Sequence, residues 1–477
     1  MKTILSLFVL CMAFSASTFS QSISENGCGT PPSEAQLDRI SDFISKGMPK
    51  AKGTAGMDSI PVTIHIVGKT NGTGYYELER LFPMLCKTNA DFAPTNFYFY
   101  VVWPIHYINN DNYYEHDFFD GQQMMAANND ANTVNIYFVQ DPAGNCGYYS
   151  PAMDAVAIGK NCAAPNSTTL THELGHFFDL PHTFSGWENG NTPATPENVA
   201  RTGPNANCNT RGDRFCDTDA DYVGNRWNCP YSGAPLTDPL GVPFRPDSSL
   251  YMSYTDDACM SRFSPQQMAV MQNNLASRPN LLNFSYPSFA ALDTPNVAYP
   301  VPLMYSNDRT IRWNPVPGAQ YYLVQLATQS VPSLYRERWL TASTSVQVTS
   351  QLFDNVNFYA YITPLNGKNL CTPKTRRQLF TFTNALGVND VLSNANVEVV
   401  PNPAASSTEL RVDDNFKGNY TVYLMNMAGQ IVNQQQVNFS SSNKVATIAT
   451  SELSNGIYTI RVAGDKGSIV KKLVVQH

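Results

Sequence analysis

The sequence predicts an α+β domain followed by two all-β sandwich domains, and three observations carry that reading. From Ile60 a strand pattern (IPVTIHIV), a helix pattern over 76–89 and a second strand pattern over 97–102 follow in turn, so a mixed unit begins near residue 55. Two later stretches, 167–179 and the one opened by Ser264-Pro265-Gln266-Gln267, read as helices. After Asn283 helical patterning stops, and apolar–polar alternation with frequent Pro and Gly runs to the end of the chain. With 477 residues the chain is long enough for roughly three domains.

Taken in order, residues 1–20 read as an export signal: Lys2 gives the positive start, 4–14 the apolar core and Thr18-Phe19-Ser20 the small-x-small cleavage pattern. A membrane anchor is the alternative, but the apolar run is about half of what a span requires. Residues 21–57 form a leader with a short helix over 33–46, then a polar connector at 47–54 that looks open to cutting. The mixed unit occupies 58–284, with further strands at 133–139 and 155–158. Ser264 as N-cap, Pro265 at N1 and Gln267 at N3 start its last helix. The sandwiches then occupy 285–384 and 385–477; turns in the second fall at Pro401-Asn402-Pro403, Ala428-Gly429, Ser454-Asn455-Gly456 and Gly464-Asp465-Lys466-Gly467.

Composition removes several classes. Lys and Arg number 31 against 38 Asp and Glu, a net charge of −7 with no basic concentration, which argues against nucleic acid as a partner. No interior stretch is apolar for the roughly 20 residues of a membrane span. Ten cysteines, of which Cys11 leaves with the signal, fit a chain stapled in an oxidising compartment.

Chemistry concentrates in His172-Glu173-Leu174-Gly175-His176-Phe177-Phe178-Asp179-Leu180-Pro181-His182. His172 and His176 stand four apart, so on a helix both imidazoles reach one metal ion with Glu173 beside them. Leu170, Leu174 and Phe177 fall on the other side and can bury it. Pro181 ends the helix, letting the chain swing His182 round as a third ligand. Three nitrogens leave one position open, the arrangement of a catalytic zinc rather than a structural one. Such an ion activates water, with Glu173 as general base, and the implied reaction is peptide hydrolysis of a protein or peptide substrate without a covalent intermediate. The remaining histidines, His65, His106, His116 and His477, lack ligand spacing and read as core or surface residues.

The string resembles the zinc signature of the metzincin metallopeptidases and, with His182-Thr183-Phe184 after the helix, the pappalysin family among them. Cys216-Asp217-Thr218, Tyr251-Met252-Ser253-Tyr254 and Asp256-Asp257-Ala258-Cys259 are similar to further elements of that family. The resemblance implies a metzincin-like zinc peptidase domain, with Met252 as the apolar floor of the metal and Tyr254 as the hydroxyl that steadies the oxyanion. One departure is Asp179, where the family usually has glycine at a turn of positive φ. Four cysteines, Cys208, Cys216, Cys229 and Cys259, allow three connectivities; the resemblance favours Cys208 with Cys229 and Cys216 with Cys259. Cys146 and Cys162 bracket a strand and can pair across it. Cys28, in Gly27-Cys28-Gly29-Thr30, resembles the family's prosegment cysteine, which would make 21–57 a propeptide whose thiolate fills the open zinc position and keeps a zymogen latent. A disulfide from Cys28 to Cys86 is the alternative, and Cys371 has no evident partner. Asp217, Asp219 and Asp221, with Asp213 before them, alternate as calcium ligands can, and the resemblance implies calcium near the site; a solvated acidic loop is the alternative.

Ile311-Arg312-Trp313-Asn314-Pro315 and the alternation after it resemble a fibronectin type III sandwich, suited to spacing or adhesion. The last stretch, with Pro401-Asn402-Pro403, Asn426-Met427-Ala428-Gly429 and the closing Lys471-Lys472-Leu473, is similar to the C-terminal sorting domain recognised by type IX secretion machinery, or is simply another sandwich. Signal and tail together imply a protein that is secreted or held at the cell surface by way of the periplasm. A secreted zinc endopeptidase is the first functional reading. A surface adhesin or carbohydrate-binding protein with a structural or vestigial zinc site is the second.

Overall fold

The structure is a computed structural model and describes residues 28–48, 57–188, 190–284, 289–296, 303–305, 309–328, 335–353, 356–371, 373–383, 397–413, 416–427, 429–464 and 467–477. The export signal, most of the connector and the turns at Ala428 and Asp465-Lys466 lie outside the described residues. Contacts divide the chain into two units, residues 1–291 with 365–373, and residues 292–364 with 374–477.

The first unit begins with α1 (Glu34–Ser45), capped by Ser33, whose side chain accepts from the Gln36 amide, and anchored by buried Leu37 and Ile40. The elements that follow are β1 (Asp58–Gly68), α2 (Leu78–Phe92), β2 (Phe97–Asn109), α3 (Phe118–Asn128), β3 (Val134–Val139), β4 (Gly147–Ser150), β5 (Ala155–Gly159), α4 (Thr169–Phe177) and α5 (Pro265–Ala276). Five of the strands form one sheet in the order β2-β1-β3-β5-β4, parallel except for the antiparallel β4–β5 pair at the edge. β1 and β3 are buried along nearly their whole length, which explains their continuous apolar runs. β2 continues past Pro104 to Asn109, beyond the expected end. It is an edge strand, and its pairing with β1 shifts register between Thr63 and His65, where a residue without an amide hydrogen is tolerated. The expected capping box forms: the Gln267 amide donates to Ser264 Oγ at 3.1 Å, and the Ser264 amide donates to Gln267 Oε1 at 2.9 Å.

Residues 365–373, inside the span expected for the first sandwich, belong to this first unit. There the Val101 amide donates to Gly367 O at 3.0 Å, Tyr98 OH donates to Lys368 O at 2.8 Å, and Cys371 is joined to Cys86. That disulfide gives Cys371 its partner and overturns the alternative of a Cys28–Cys86 bond.

The second unit contains β6 (Leu303–Tyr305), β7 (Thr310–Arg312), β8 (Tyr321–Ala327), β9 (Tyr335–Thr341), β10 (Ser345–Gln347), β11 (Val356–Leu365) and β12 (Arg376–Thr383). They make a five-stranded sheet, β6-β12-β11-β8-β9, and a two-stranded sheet, β7-β10. Trp313 sits in the core they share with Val324, Phe358 and Phe382. The strands β13 (Val397–Val400), β14 (Ser407–Val412), β15 (Gly418–Asn426), β16 (Ile431–Phe439), β17 (Val445–Ala449), β18 (Gly456–Gly464) and β19 (Gly467–Val475) follow. They form a three-stranded sheet, β13-β14-β17, and a four-stranded sheet, β16-β15-β18-β19, around a core with Leu410, Val422, Ile460 and Leu473.

Candidate metal centre

α4 carries His172 and His176 on one face, as their spacing requires. At its start the Thr168 amide and hydroxyl both donate to Asp257 Oδ1, at 3.1 and 2.7 Å, which places a carboxylate at the helix N-terminus. At its end the Asp179 amide donates to His176 O and the Leu180 amide to Gly175 O, both at 3.0 Å, the paired bonds of a Schellman motif. Asp179 takes the left-handed position of that motif, with φ +75°. Midway, Thr171 Oγ1 and Tyr251 OH each donate at 2.7 Å to Asp91 of α2, which locks the helix to the segment before Met252.

The turn delivers His182, fully buried and stacked on Phe184 at 4.7 Å. His176 Nε2 lies 3.1 Å from both His172 Nε2 and His182 Nε2. His172 Nδ1 donates to Tyr251 O and His176 Nδ1 to Leu180 O, both at 2.7 Å, which puts the proton on Nδ1 and leaves Nε2 bare. His182 Nδ1 faces Glu188 Oε1 at 3.5 Å. Burial holds all three rings neutral: it lowers His172 to about 4, and His176 and His182 well below the usual histidine range, helped by the neighbouring imidazoles. Two bare nitrogens and the Nε2 of a third neutral ring, all aimed at one point, fit a cation.

The fourth donor is Cys28. Its Sγ lies within 4.8 Å of the three imidazole ligand atoms, the single such cluster among the described residues, and it donates to Glu173 Oε2 at 3.1 Å. Among the described residues Cys28 is the one free cysteine. Its amide donates to Tyr254 OH at 2.6 Å, and Tyr254 OH donates back to Cys28 O at 3.1 Å while lying 3.3 Å from His182 Nε2. The leader continues along the edge of β4: the Gly29 amide donates to Gly147 O at 3.0 Å, and Thr30 Oγ1 exchanges bonds with Tyr149 O and N at 3.2 and 2.8 Å. Glu173 is 1% exposed, and burial raises its carboxyl to about 8. It fits against β4 because residue 147 is glycine; a Cβ there would stand 2.9 Å from Glu173 Cγ and Oε1. Met252 is fully buried beneath α4, its sulfur against the bare face of Gly175. An N₃S donor set of this kind suits a tetrahedral zinc ion.

Residues 153–276 match the family described as Pregnancy-associated plasma protein-A. That stretch belongs to the pappalysin family of metallopeptidases. Residues 398–476 match the secretion system C-terminal sorting domain. The chain is 28% identical over 285 residues to an extracellular metalloprotease of Verticillium alfalfae, covering 55% of this chain and 94% of that one. It is also 28% identical over 274 residues to an extracellular metalloprotease of Colletotrichum graminicola, covering 51% and 88%. Among solved structures, the FN1–FN3 domains of chicken CNTN1 align at 14% identity and a TM-score of 0.19, over 39% of this chain and 66% of that one.

The other expected site residues of the pappalysin domain are rearranged. Of Asp217, Asp219 and Asp221, the last two act on the buried Glu197. Asp217 is spent on the N-terminus of α5, accepting from Ser264 Oγ at 2.7 Å and the Gln266 amide at 2.8 Å. Asp221 is spent on Thr183 Oγ1 and Ser253 Oγ at 2.8 and 3.1 Å, and Asp219 is exposed. The buried acids that do face one another are Asp213 and Glu197, at 0% and 3% exposure. Burial raises both carboxyls, helped at Asp213 by the neighbouring Glu197 and at Glu197 by Asp221 and Asp219. Glu197 Oε1 pairs with Arg201 at 2.6 Å, whereas Oε2 is buried without a partner among the described residues, beside Gly212, where a Cβ would approach within 2.2 Å.

The disulfides also differ from the expected pairing of Cys208 with Cys229 and Cys216 with Cys259. The structure joins Cys208 to Cys216 and Cys229 to Cys259. A short loop brings the first two together, and a bridge between Trp227 and Thr255 lays the second pair side by side. Cys146 and Cys162 are joined, as their bracketing of a strand suggests. His65 and His116 are buried, bonded to Asn135 Oδ1 and to Tyr113 O, and His477 is exposed.

Proposed function

We propose that the protein is a secreted zinc endopeptidase made as a latent precursor, in which Cys28 fills the position that a substrate and a water would otherwise share. The convergence of three Nε2 atoms and one free thiol carries the reading. His172, His176 and His182 hold the ion. When bound, zinc supplies a Lewis acid that polarises a peptide carbonyl and makes water acidic near neutral pH. Glu173, buried beside the ligands, has its basicity raised by burial, and in its ionised form it takes the proton of the attacking water and passes it to the leaving amine. Tyr254, freed from Cys28, turns its hydroxyl toward the developing oxyanion. Met252 supports His172 from below through its neighbour Tyr251, whose carbonyl orients that ring. The edge of β4, which Gly29 and Thr30 cover, is the strand along which an extended substrate would add.

In this reading residues 21–57 are the propeptide, 58–284 a metzincin-like domain, 285–384 a fibronectin type III-like spacer and 385–477 the sorting domain. The sorting domain favours export to the surface or medium through type IX machinery, after a signal-directed step to the periplasm. Calcium, if it contributes, is best served by Glu197 and Asp213, where an unpartnered buried carboxylate oxygen supports an oxygen-liganded cation.

The test has two arms. Processed protein should digest casein, lose that activity to a chelator, and lose it again in Glu173→Gln with zinc still present; a zinc-loaded wild type without proteolysis would overturn the peptidase reading. The Cys28→Ala precursor should be active or mature early, and an unchanged latent precursor would remove the role given to Cys28.

A further inference from the structure

One cavity of the first unit is built jointly by the leader and by the loops that follow His182. It holds about 370 Å³, with Pro31, Pro32 and Glu34 on one side and Trp187, Arg211 and Arg214 on the other. Arg214 is its buried charge. Its side chain is 9% exposed, its Nε has no hydrogen-bond partner among the described residues, and its backbone is held at φ +71°. The leader supplies an acid for it, but a poor one: Glu34 Oε2 approaches the guanidinium at 3.5 Å while the Glu34 side chain is 85% exposed. A planar guanidinium that stays protonated and is taken out of water calls for a better-placed carboxylate than that.

The other charged groups around the cavity do not meet this demand. Burial and neighbouring acids hold Glu197 and Asp213 toward their neutral forms, and Glu197 is already joined to Arg201. Glu188 accepts from the Gly186 amide at 2.8 Å and faces His182. Arg211 is exposed and adds positive charge at the rim. Asp38 and Glu34, the remaining acids that act on Arg214, both sit on the leader and depart with it.

We propose that, once the leader is removed, this cavity is a specificity subsite for a substrate aspartate or glutamate, with Arg214 as the residue that recognises it. The position follows from the leader itself. Cys28 stands at the metal, and Pro31 and Glu34 lie three and six residues beyond it. An extended substrate in the same groove therefore brings a residue about three to six positions from the scissile bond to Arg214. The inference rests on the peptidase reading and adds to it a preference for acidic sequences on one side of the cut.

The full chain, folded as precursor and processed, is given a proteome-derived peptide library, and the cleaved ends are sequenced. Asp and Glu should be enriched at one position within that window. Matched peptides with Glu or Gln there should differ in kcat/KM by about tenfold. The ratio should fall to near one in Arg214→Gln and turn in favour of Lys in Arg214→Glu. Cleavage without acidic enrichment in that window, or a Glu preference that survives Arg214→Gln, overturns the subsite while leaving the peptidase reading intact. Absence of any cleavage overturns both. If either variant fails to fold, the wild-type profile alone decides.

Discussion

Replacing Gly175 by alanine tests whether the contact between α4 and Met252 positions the metal centre or merely fills space. In an isolated helix the change would be favourable, by about 1 kcal/mol. Here the new Cβ would stand 2.3 Å from Met252 Sδ, 3.2 Å from Met252 Cε and 3.6 Å from Phe263 Cε1. Met252 is fully buried, so its side chain has no solvent to swing into. Overpacking of this kind costs about 1–3 kcal/mol, which leaves a net loss of about 0–2 kcal/mol and a fall in Tm of a few degrees. Activity should suffer more. Met252 adjoins Tyr251, whose carbonyl fixes His172, and its own carbonyl accepts from the Thr183 amide at 3.0 Å, next to His182. A displacement of about 1 Å at reacting groups costs on the order of 100-fold in rate. Gly175→Ala should therefore lower kcat/KM on a protein substrate by about 10- to 100-fold with the Tm nearly held. A variant that is both more stable and fully active would refute the reasoning, because Met252 would then have moved without consequence for the ligands.

Two further outcomes follow from buried acids. Asp91→Ala leaves Thr171 Oγ1 and Tyr251 OH without their acceptor, at about 1–3 kcal/mol each, so chemical denaturation should show a loss of roughly 2–5 kcal/mol. Glu197 and Asp213 have folded-state pKa values raised above the unfolded ones, so without a cation their contribution to stability is complete below the ordinary carboxylate range and is lost as pH rises toward and past neutrality. Calcium should accordingly raise Tm more at pH 8 than at pH 5, and Glu197→Gln should abolish that difference; equal calcium effects at both pH values would remove the cation from this pair.

The legible parts of the molecule are those whose physics is local. His172 and His176 share a face because of helical periodicity, Pro181 stops the helix, and the Ser264 capping box depends on residues three apart; each follows from neighbours in the sequence. Asp91 was invisible because nothing around it marks a carboxylate that will receive bonds from Thr171 and Tyr251, 80 and 160 residues away. The acidic alternation of Asp217, Asp219 and Asp221 gives no sign that Asp217 accepts bonds at the N-terminus of α5 while Asp219 and Asp221 act on Glu197, because those neighbours come from distant parts of the chain. Glu197, the acid left with a free oxygen, lies outside that run. Cysteine pairing failed for the same reason: the bridge between Trp227 and Thr255 that brings Cys229 to Cys259 is a tertiary contact. The short edge strand β4 has four residues and no strong alternation, yet it receives the leader.

Asp179 shows how one departure from the glycine of related sequences acquires a reason in the fold. Its left-handed backbone costs about 1 kcal/mol relative to glycine. Its carboxylate meets Arg39 of α1 at 2.9 Å, a contact that a glycine could not make. The Arg39 side chain is 61% exposed, however, so this pair adds at most about 1 kcal/mol to the hold on the leader. The other polar contacts of α1 are of the same kind: Ser41 Oγ donates to Asn209 O at 3.0 Å, and Glu34 only reaches Arg214 at 3.5 Å. Its stronger hold is apolar, through buried Leu37 and Ile40. The buried, mutually reinforcing bonds lie at the opposite end, around Cys28, Gly29 and Thr30. The leader is thus held by polar bonds near Cys28 and by two buried apolar side chains along its helix, and being part of the same chain adds to both, since a tethered segment rebinds at a high effective concentration. Cutting the connector at 49–56 removes that advantage and leaves Leu37, Ile40 and the bonds around Cys28 to hold the leader. On the latent-precursor reading, that cut therefore weakens the hold on the thiol.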